Sequence, residues 1–96
     1  MEKIAVVATM KAKTGRTGEL KNALQALVAP SRADAGCIRY ELHQDTEDEA
    51  TFVFIEQWES RESLEAHLAQ PHLEDFKARI PELLDGPLGI KVLNPI

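Results

Sequence analysis

Three stretches of the sequence carry side chains able to move a proton or hold a small substrate. The first is Glu56-Gln57-Trp58, inside a segment that alternates in character from Thr51 to Glu59. A period of two puts Glu56 and Trp58 on one face of a strand with Phe52 and Phe54, and Val53, Ile55 and Gln57 on the other. A carboxylate on an aromatic face is either paired, with Arg32 or Arg39 as the cation, or serves chemistry, because burying it alone is costly. Trp58 is either packing or part of a binding wall. The second stretch is Leu64-Glu65-Ala66-His67-Leu68, which sets His67 on the apolar stripe of a helix. An imidazole there is an acid or base near neutral pH, or a core histidine with satisfied hydrogen bonds. The third runs from Cys37 to Gln44, where Tyr40 joins Ile38 and Leu42 on one face while His43 joins Arg39 and Glu41 on the other. Only a bulge would bring Tyr40 and His43 into one pocket. His72, just after Pro71, sits at a helix start, as a solvated terminal residue or a site residue.

Other chemistries are disfavoured. His67 and His72 are separated by five positions across a proline, not the four that pair ligands on a helix face, so no metal site is expected. Cys37 and His43 share a strand face in this reading but lie roughly 20 Å apart. A single Cys excludes a disulfide framework and Cys-rich zinc sites. Cys37 reads as a small buried residue. The glycines are isolated, Gly15-Arg16-Thr17-Gly18 is too short for a phosphate loop, and no serine sits in a nucleophile elbow.

The elements that must position these residues are well punctuated. Ile4 to Met10 reads as a strand buried on both faces. Leu20, Ala23, Leu24, Leu27, Val28 and Ser31 recur at helical spacing over roughly 16–34, with Pro30 expected to kink or end the helix near Ala29. Gly36 is a candidate left-handed turn residue. Two strands over 37–59 form a hairpin around the acidic turn Asp45 to Ala50. Ser60 is an N-cap, and Pro71 opens a further helical segment. Leu73, Phe76, Ile80, Leu83 and Leu84 continue it, with Pro81 expected to split it. Leu88 to Leu93 is the last strand. The order β-α-β-β-α-β predicts an α+β, ferredoxin-like fold with one antiparallel sheet and helices on one face. Ala5, Val7, Val53, Ile55, Lys91 and Leu93 then alternate onto a face that lacks a cover, and packing of two sheets in a symmetric dimer supplies one.

The 96 residues support a single domain, 1–96, and 44% hydrophobic content is ordinary for a globular chain. A net charge of −5, with 11 scattered basic residues against 16 acidic ones, disfavours nucleic acid and anionic membranes. The seven-residue run from Ile4 to Met10 is too short for a signal core or a membrane helix, so a soluble cytoplasmic protein is expected.

Ala29-Pro-Ser-Arg-Ala-Asp-Ala-Gly-Cys-Ile-Arg-Tyr-Glu-Leu-His-Gln-Asp45, Phe52-Val-Phe-Ile-Glu-Gln-Trp58, Leu64-Glu-Ala-His67 and Pro71-His72 together resemble the antibiotic biosynthesis monooxygenase family. Within it they are similar to small bacterial proteins described as quinol monooxygenases. The resemblance implies a ferredoxin-like homodimer, a dimeric α+β barrel, that oxidises quinol-like or phenolic rings with dioxygen and no cofactor, whether flavin, haem or metal. It implies His67 as acid or base, Trp58 and Phe54 as pocket wall, and Glu56, Tyr40 and Arg32 as polar contacts. His67, Trp58 and Glu56 are the catalytic candidates. Phe54, Tyr40, Arg32, His43, His72 and Phe76 are the substrate-binding candidates. Relatives that degrade haem use an Asn on the first strand, which this chain lacks: Asn22 and Asn94 lie elsewhere. Relatives that isomerise a phosphorylated compound would need a basic cluster, and none is visible. The rival readings are a dimer that binds a small ligand without chemistry, and a non-oxidative isomerase on the same scaffold.

Overall fold

The computed structural model describes residues 2–96. In chain order it comprises β1 (Ile4–Lys11), α1 (Thr17–Arg32), β2 (Cys37–Gln44), β3 (Thr51–Trp58), α2 (Arg61–Leu68), α3 (Pro71–Leu83) and β4 (Gly89–Leu93). The strands make one antiparallel sheet in the order β2-β3-β1-β4. This is the expected ferredoxin-like α+β arrangement, with the second helical region in two pieces hinged before Pro71, which takes the first position of α3.

The sheet has two unlike faces. Val6 lies opposite Glu56 and Val92, and Glu56 lies opposite Tyr40, so Tyr40, Glu56, Val6 and Val92 form one inward row. The next row on that face runs Leu42, Phe54, Ala8, Ile90. Rows of opposite parity, such as Glu41, Ile55, Val7 and Lys91, point outward. β1 is therefore not buried on both faces in the single chain. Ile4, Val6, Ala8 and Met10 are buried, Ala5 and Val7 are half-buried, and Thr9 and Lys11 are exposed. Helix α1 covers the inner face with Leu20, Leu24, Leu27 and Ser31, spaced so that all four fall on one stripe. Each fully buried leucine there contributes about 2 kcal/mol of apolar transfer.

Three local expectations are corrected. The register of β2 against β3 shifts between Cys37 and Arg39, so Ile38 is an extra, bulged residue, 43% exposed. Cys37 then shares Tyr40's inward face rather than His43's, and it is half-buried against the core. The bulge precedes Tyr40, so Tyr40 and His43 keep opposite faces. Neither Pro30 nor Pro81 breaks its helix: α1 runs to Arg32 and α3 to Leu83. Each proline removes a bond to the carbonyl four residues earlier, on Ala26 and Lys77. Both residues are exposed, so water can solvate those carbonyls.

Two local devices set the approach of the loop after α1 to α2. Ser60 caps α2 by accepting a hydrogen bond from the Ser63 backbone N–H at 3.1 Å. Gly36 adopts φ +82° and packs so closely on the Ser63 side chain that a Cβ would collide with it. That close approach brings the 33–36 loop against the first turn of α2, one turn before His67 on the same helix.

Candidate active site

Between the inner sheet face and the helices lies a cavity of about 140 Å³. The sheet supplies Ala8, Tyr40, Phe54 and Glu56; α1 supplies Leu27; α2 supplies His67; α3 supplies Leu73, Phe76 and Lys77. Ile90, 45% exposed, and the exposed Lys77 mark its mouth. The lining is apolar and aromatic apart from Glu56, His67, Lys77 and the Tyr40 hydroxyl. An engineered cavity of similar size, roughly 150 Å³, admits benzene, so the volume here suits a single ring.

Glu56 is buried, and among the described residues no arginine pairs with it. Its Oε1 accepts a hydrogen bond from Trp58 Nε1–H at 2.9 Å. Arg32 is exposed and instead donates from Nε to the Tyr40 backbone carbonyl at 3.0 Å. Arg39 stands on the outer face, 2.8 Å from Glu41 Oε1. Burial pushes the Glu56 carboxyl up to about 6, with the Trp58 hydrogen bond opposing the shift. Burial also raises the Tyr40 hydroxyl well above its ordinary value, so Tyr40 stays protonated.

His67 is almost completely buried, and its Nδ1 is 2.7 Å from Asp34 Oδ2. The same oxygen is 3.0 Å from His72 Nε2. An ionised carboxylate only accepts, so both rings donate: His67 carries its proton on Nδ1 and His72 on Nε2. The Trp58 ring lies 4.5 Å from the His67 ring at 35°, and Tyr40 meets it edge-on at 5.3 Å. Burial holds the His67 imidazole below its ordinary value while Asp34 pulls the other way. A neutral ring with its proton on Nδ1 leaves Nε2 as an acceptor, and the ring borders the cavity. The arrangement, an imidazole oriented by a carboxylate at the edge of an apolar cavity, can accept a proton from a bound ligand.

The structure thus brings His67, Glu56, Tyr40, Phe54 and Phe76 together on the cavity and leaves four candidates off it. Trp58 is fully buried behind the wall, touching Glu56 and His67 rather than lining the space. Arg32 holds backbone. His43 lies on the outer sheet face, half-exposed, 3.6 Å from Glu41 Oε1. His72 touches Asp34 and lines a separate surface groove with Asp75, Phe76 and Arg79. Sequence reasoning missed Asp34 and Lys77. Asp34 follows the last turn of α1, where the helix dipole disfavours a carboxylate. That misplacement was the available signal that Asp34 has a partner elsewhere. Lys77 Nζ reaches the Leu68 carbonyl at 2.6 Å and Glu74 Oε1 at 3.1 Å, and its sequence neighbourhood carries no comparable signal.

The geometry can be set beside known proteins. The sequence pattern of the family described as antibiotic biosynthesis monooxygenase matches residues 3–79. The chain belongs to this family. Among its relatives, Rv0793 of Mycobacterium tuberculosis, which carries a provisional monooxygenase name, is 32% identical over 97% of this chain and 91% of its own length. Protein sll1783 of Synechocystis is 33% identical over 93% of the chain, which spans only 60% of that longer relative. The crystal structure of PA3566 from Pseudomonas aeruginosa superposes with a TM-score of 0.94 at 38% identity, covering 100% of this chain and 96% of that one. The matched stretch takes in Asp34, Glu56, His67 and His72, and β4 lies beyond it. Among the described residues no helix is long and apolar enough to cross a membrane.

Proposed function

We propose that this chain is a cofactor-independent monooxygenase that hydroxylates a small quinol-like or phenolic ring with dioxygen. The observation that carries the reading is the Asp34–His67 hydrogen bond, 2.7 Å long, which fixes a buried neutral imidazole at the edge of an aromatic-lined cavity. The reductant is the substrate, so the protein must supply orientation, dryness and a base. His67 Nε2 takes a phenolic proton, and Asp34 stabilises the imidazolium that forms. The electron-rich quinolate gives one electron to dioxygen. Recombination of the radical pair forms a ring carbon–oxygen bond, as a hydroperoxide. Loss of water breaks the oxygen–oxygen bond and leaves a hydroxyquinone. Quinol plus dioxygen equals hydroxyquinone plus water, and the quinol supplies the two electrons that reduce the departing oxygen atom. Glu56, titrating near 6, exchanges a hydrogen bond with the second ring oxygen in either protonation state.

The working unit in this proposal is a homodimer. Ala5, Val7, Val53 and Ile55 are only half-buried on the outer face, and Leu93 beside them is 44% exposed. A second sheet packed there removes that apolar surface from water. The free thiol of Cys37 suits the reducing cytoplasm.

The test is dissolved-oxygen uptake with benzohydroquinone, catechol and a bicyclic quinol. Uptake that scales with protein and falls about 10²–10⁴-fold in His67→Ala is expected. Monocyclic substrates should outperform the bicyclic one, which requires Ile90 to move. A flat trace with every substrate overturns the reading and leaves a ligand-binding or non-oxidative protein.

A further inference from the structure

We propose that Asp34, His67 and His72 form a binding site for a divalent first-row transition ion, such as Zn²⁺ or Co²⁺. The three residues come from three elements: the loop after α1, the last turn of α2 and the first turn of α3. Their nearest ligand atoms, Asp34 Oδ2, His67 Nδ1 and His72 Nε2, lie within 4.8 Å of one another. The oxygen is 2.7 Å from one nitrogen and 3.0 Å from the other, and the two rings have centroids 6.0 Å apart. Donors held at about 2.0–2.2 Å from one ion stand roughly 3 Å or slightly more from each other. Occupation therefore needs only small rotations of side chains already converged on one point.

Access and chemistry agree. His67 has 1% of its side chain exposed, Asp34 10% and His72 21%, so the cluster opens outward through His72. The groove beyond, lined by His72, Asp75 and Arg79, leaves room for water to complete the shell. Two imidazoles and one carboxylate form a nitrogen-rich set that suits Zn²⁺, Co²⁺ or Ni²⁺ rather than Ca²⁺ or Mg²⁺. The same convergence explains His72, which does not line the cavity yet turns a ring nitrogen onto a carboxylate it has no need to meet if merely solvated. An ion bound to His67 Nδ1 replaces the proton there, and the neutral ring then carries its proton on Nε2. In that state the imidazole offers the cavity a donor, not a base. This consequence rests on the reading of His67 as the base; the binding site does not.

The experiment is titration of the metal-stripped full-length protein with Co²⁺, read by visible ligand-field absorption, followed by displacement with Zn²⁺. One equivalent per chain is expected. His72→Gln and Asp34→Asn should each weaken Co²⁺ binding about tenfold or more, while His43→Gln leaves it unchanged. Circular dichroism and the thermal midpoint establish that the variants are folded, and His72, at the surface end of the cluster, is the substitution least able to disturb packing. Absence of binding overturns the proposal, as does binding that survives both substitutions or is lost with His43. Because absorption is independent of turnover, a protein that binds Co²⁺ but consumes no dioxygen retains the site and loses the monooxygenase reading. In a protein that does turn over, Zn²⁺ at matching concentration should abolish uptake.

Discussion

The two faces of the sheet are built from the same strands and obey different electrostatics. On β3, Phe52, Phe54, Glu56 and Trp58 point inward and are buried, while Thr51, Val53, Ile55 and Gln57 point outward and are half-buried. Ionisable groups occur on both sides. Inside, Glu56 and His67 are stripped of water, which raises the proton affinity of the carboxyl and lowers that of the imidazole, so each favours its neutral form. Outside, Arg39, Glu41 and His43 line up on β2 in contact with solvent. Charge in water costs little and does little, whereas charge in the cavity is held by specific partners and can do chemistry.

The largest effect expected from this contrast is on the inside. Trp58→Ala removes a fully buried ring that packs on His67 and bonds Glu56. It should cost about 3–5 kcal/mol in urea unfolding. A loss below about 1 kcal/mol would mean that the inner face is not tightly packed. The strongest outer-face effect should be on assembly. Ile55→Asp puts a charge at the centre of the proposed dimer surface, and sedimentation should find monomer at concentrations where the parent is dimeric. An unchanged sedimentation coefficient would place the dimer contact elsewhere.

Glu56→Gln is a finer probe of the inside. Its carboxyl titrates at about 6 in the folded chain against 4.5 for the ordinary side chain. A raised folded value means that the protonated form favours folding. That contribution is complete below about 4.5 and is lost as pH rises through about 6. Above that range the buried charge costs about 2 kcal/mol. Glu56→Gln keeps the acceptor for Trp58 and should therefore stabilise the protein by up to about 2 kcal/mol at pH 8 and not at pH 4. An equal effect at both values would show that burial of the charge is not the cause. The smallest effect belongs outside: Glu41→Gln breaks the contact with Arg39 and should leave the denaturant midpoint where it was.

The contrast was legible in the sequence wherever alternation carried it. The strict period of Thr51 to Trp58 assigns every residue of β3 to its observed face, and Ser60 and Pro71 mark the helix starts that the structure shows. Features set by backbone detail were not legible. Nothing in Cys37-Ile38-Arg39 announces a bulge, because an apolar residue at an extra position looks like any core residue. Pro30 and Pro81 look like breaks in the sequence, since the rule for proline takes no account of which face the freed carbonyl meets. The site was half legible. Periodicity puts His67, Glu56, Tyr40, Phe54 and Phe76 on inward faces, and only the family resemblance makes a pocket of them. The Asp34–His67 contact spans 33 positions, and no local period could reveal it. It depends on Gly36 letting its loop approach α2.

The central claim is that Asp34 makes His67 the base of a monooxygenation, and oxygen stoichiometry with Asp34→Asn tests it most directly. Benzohydroquinone would be consumed to completion by the wild type and by Asp34→Asn in a closed oxygen-electrode cell, with catalase added at the end. One dioxygen consumed per quinol, no oxygen returned by catalase and a rate about 10²-fold lower in the variant are expected. Return of half the oxygen would show simple oxidation to quinone and hydrogen peroxide. That result, or equal rates in the two proteins, would contradict the account.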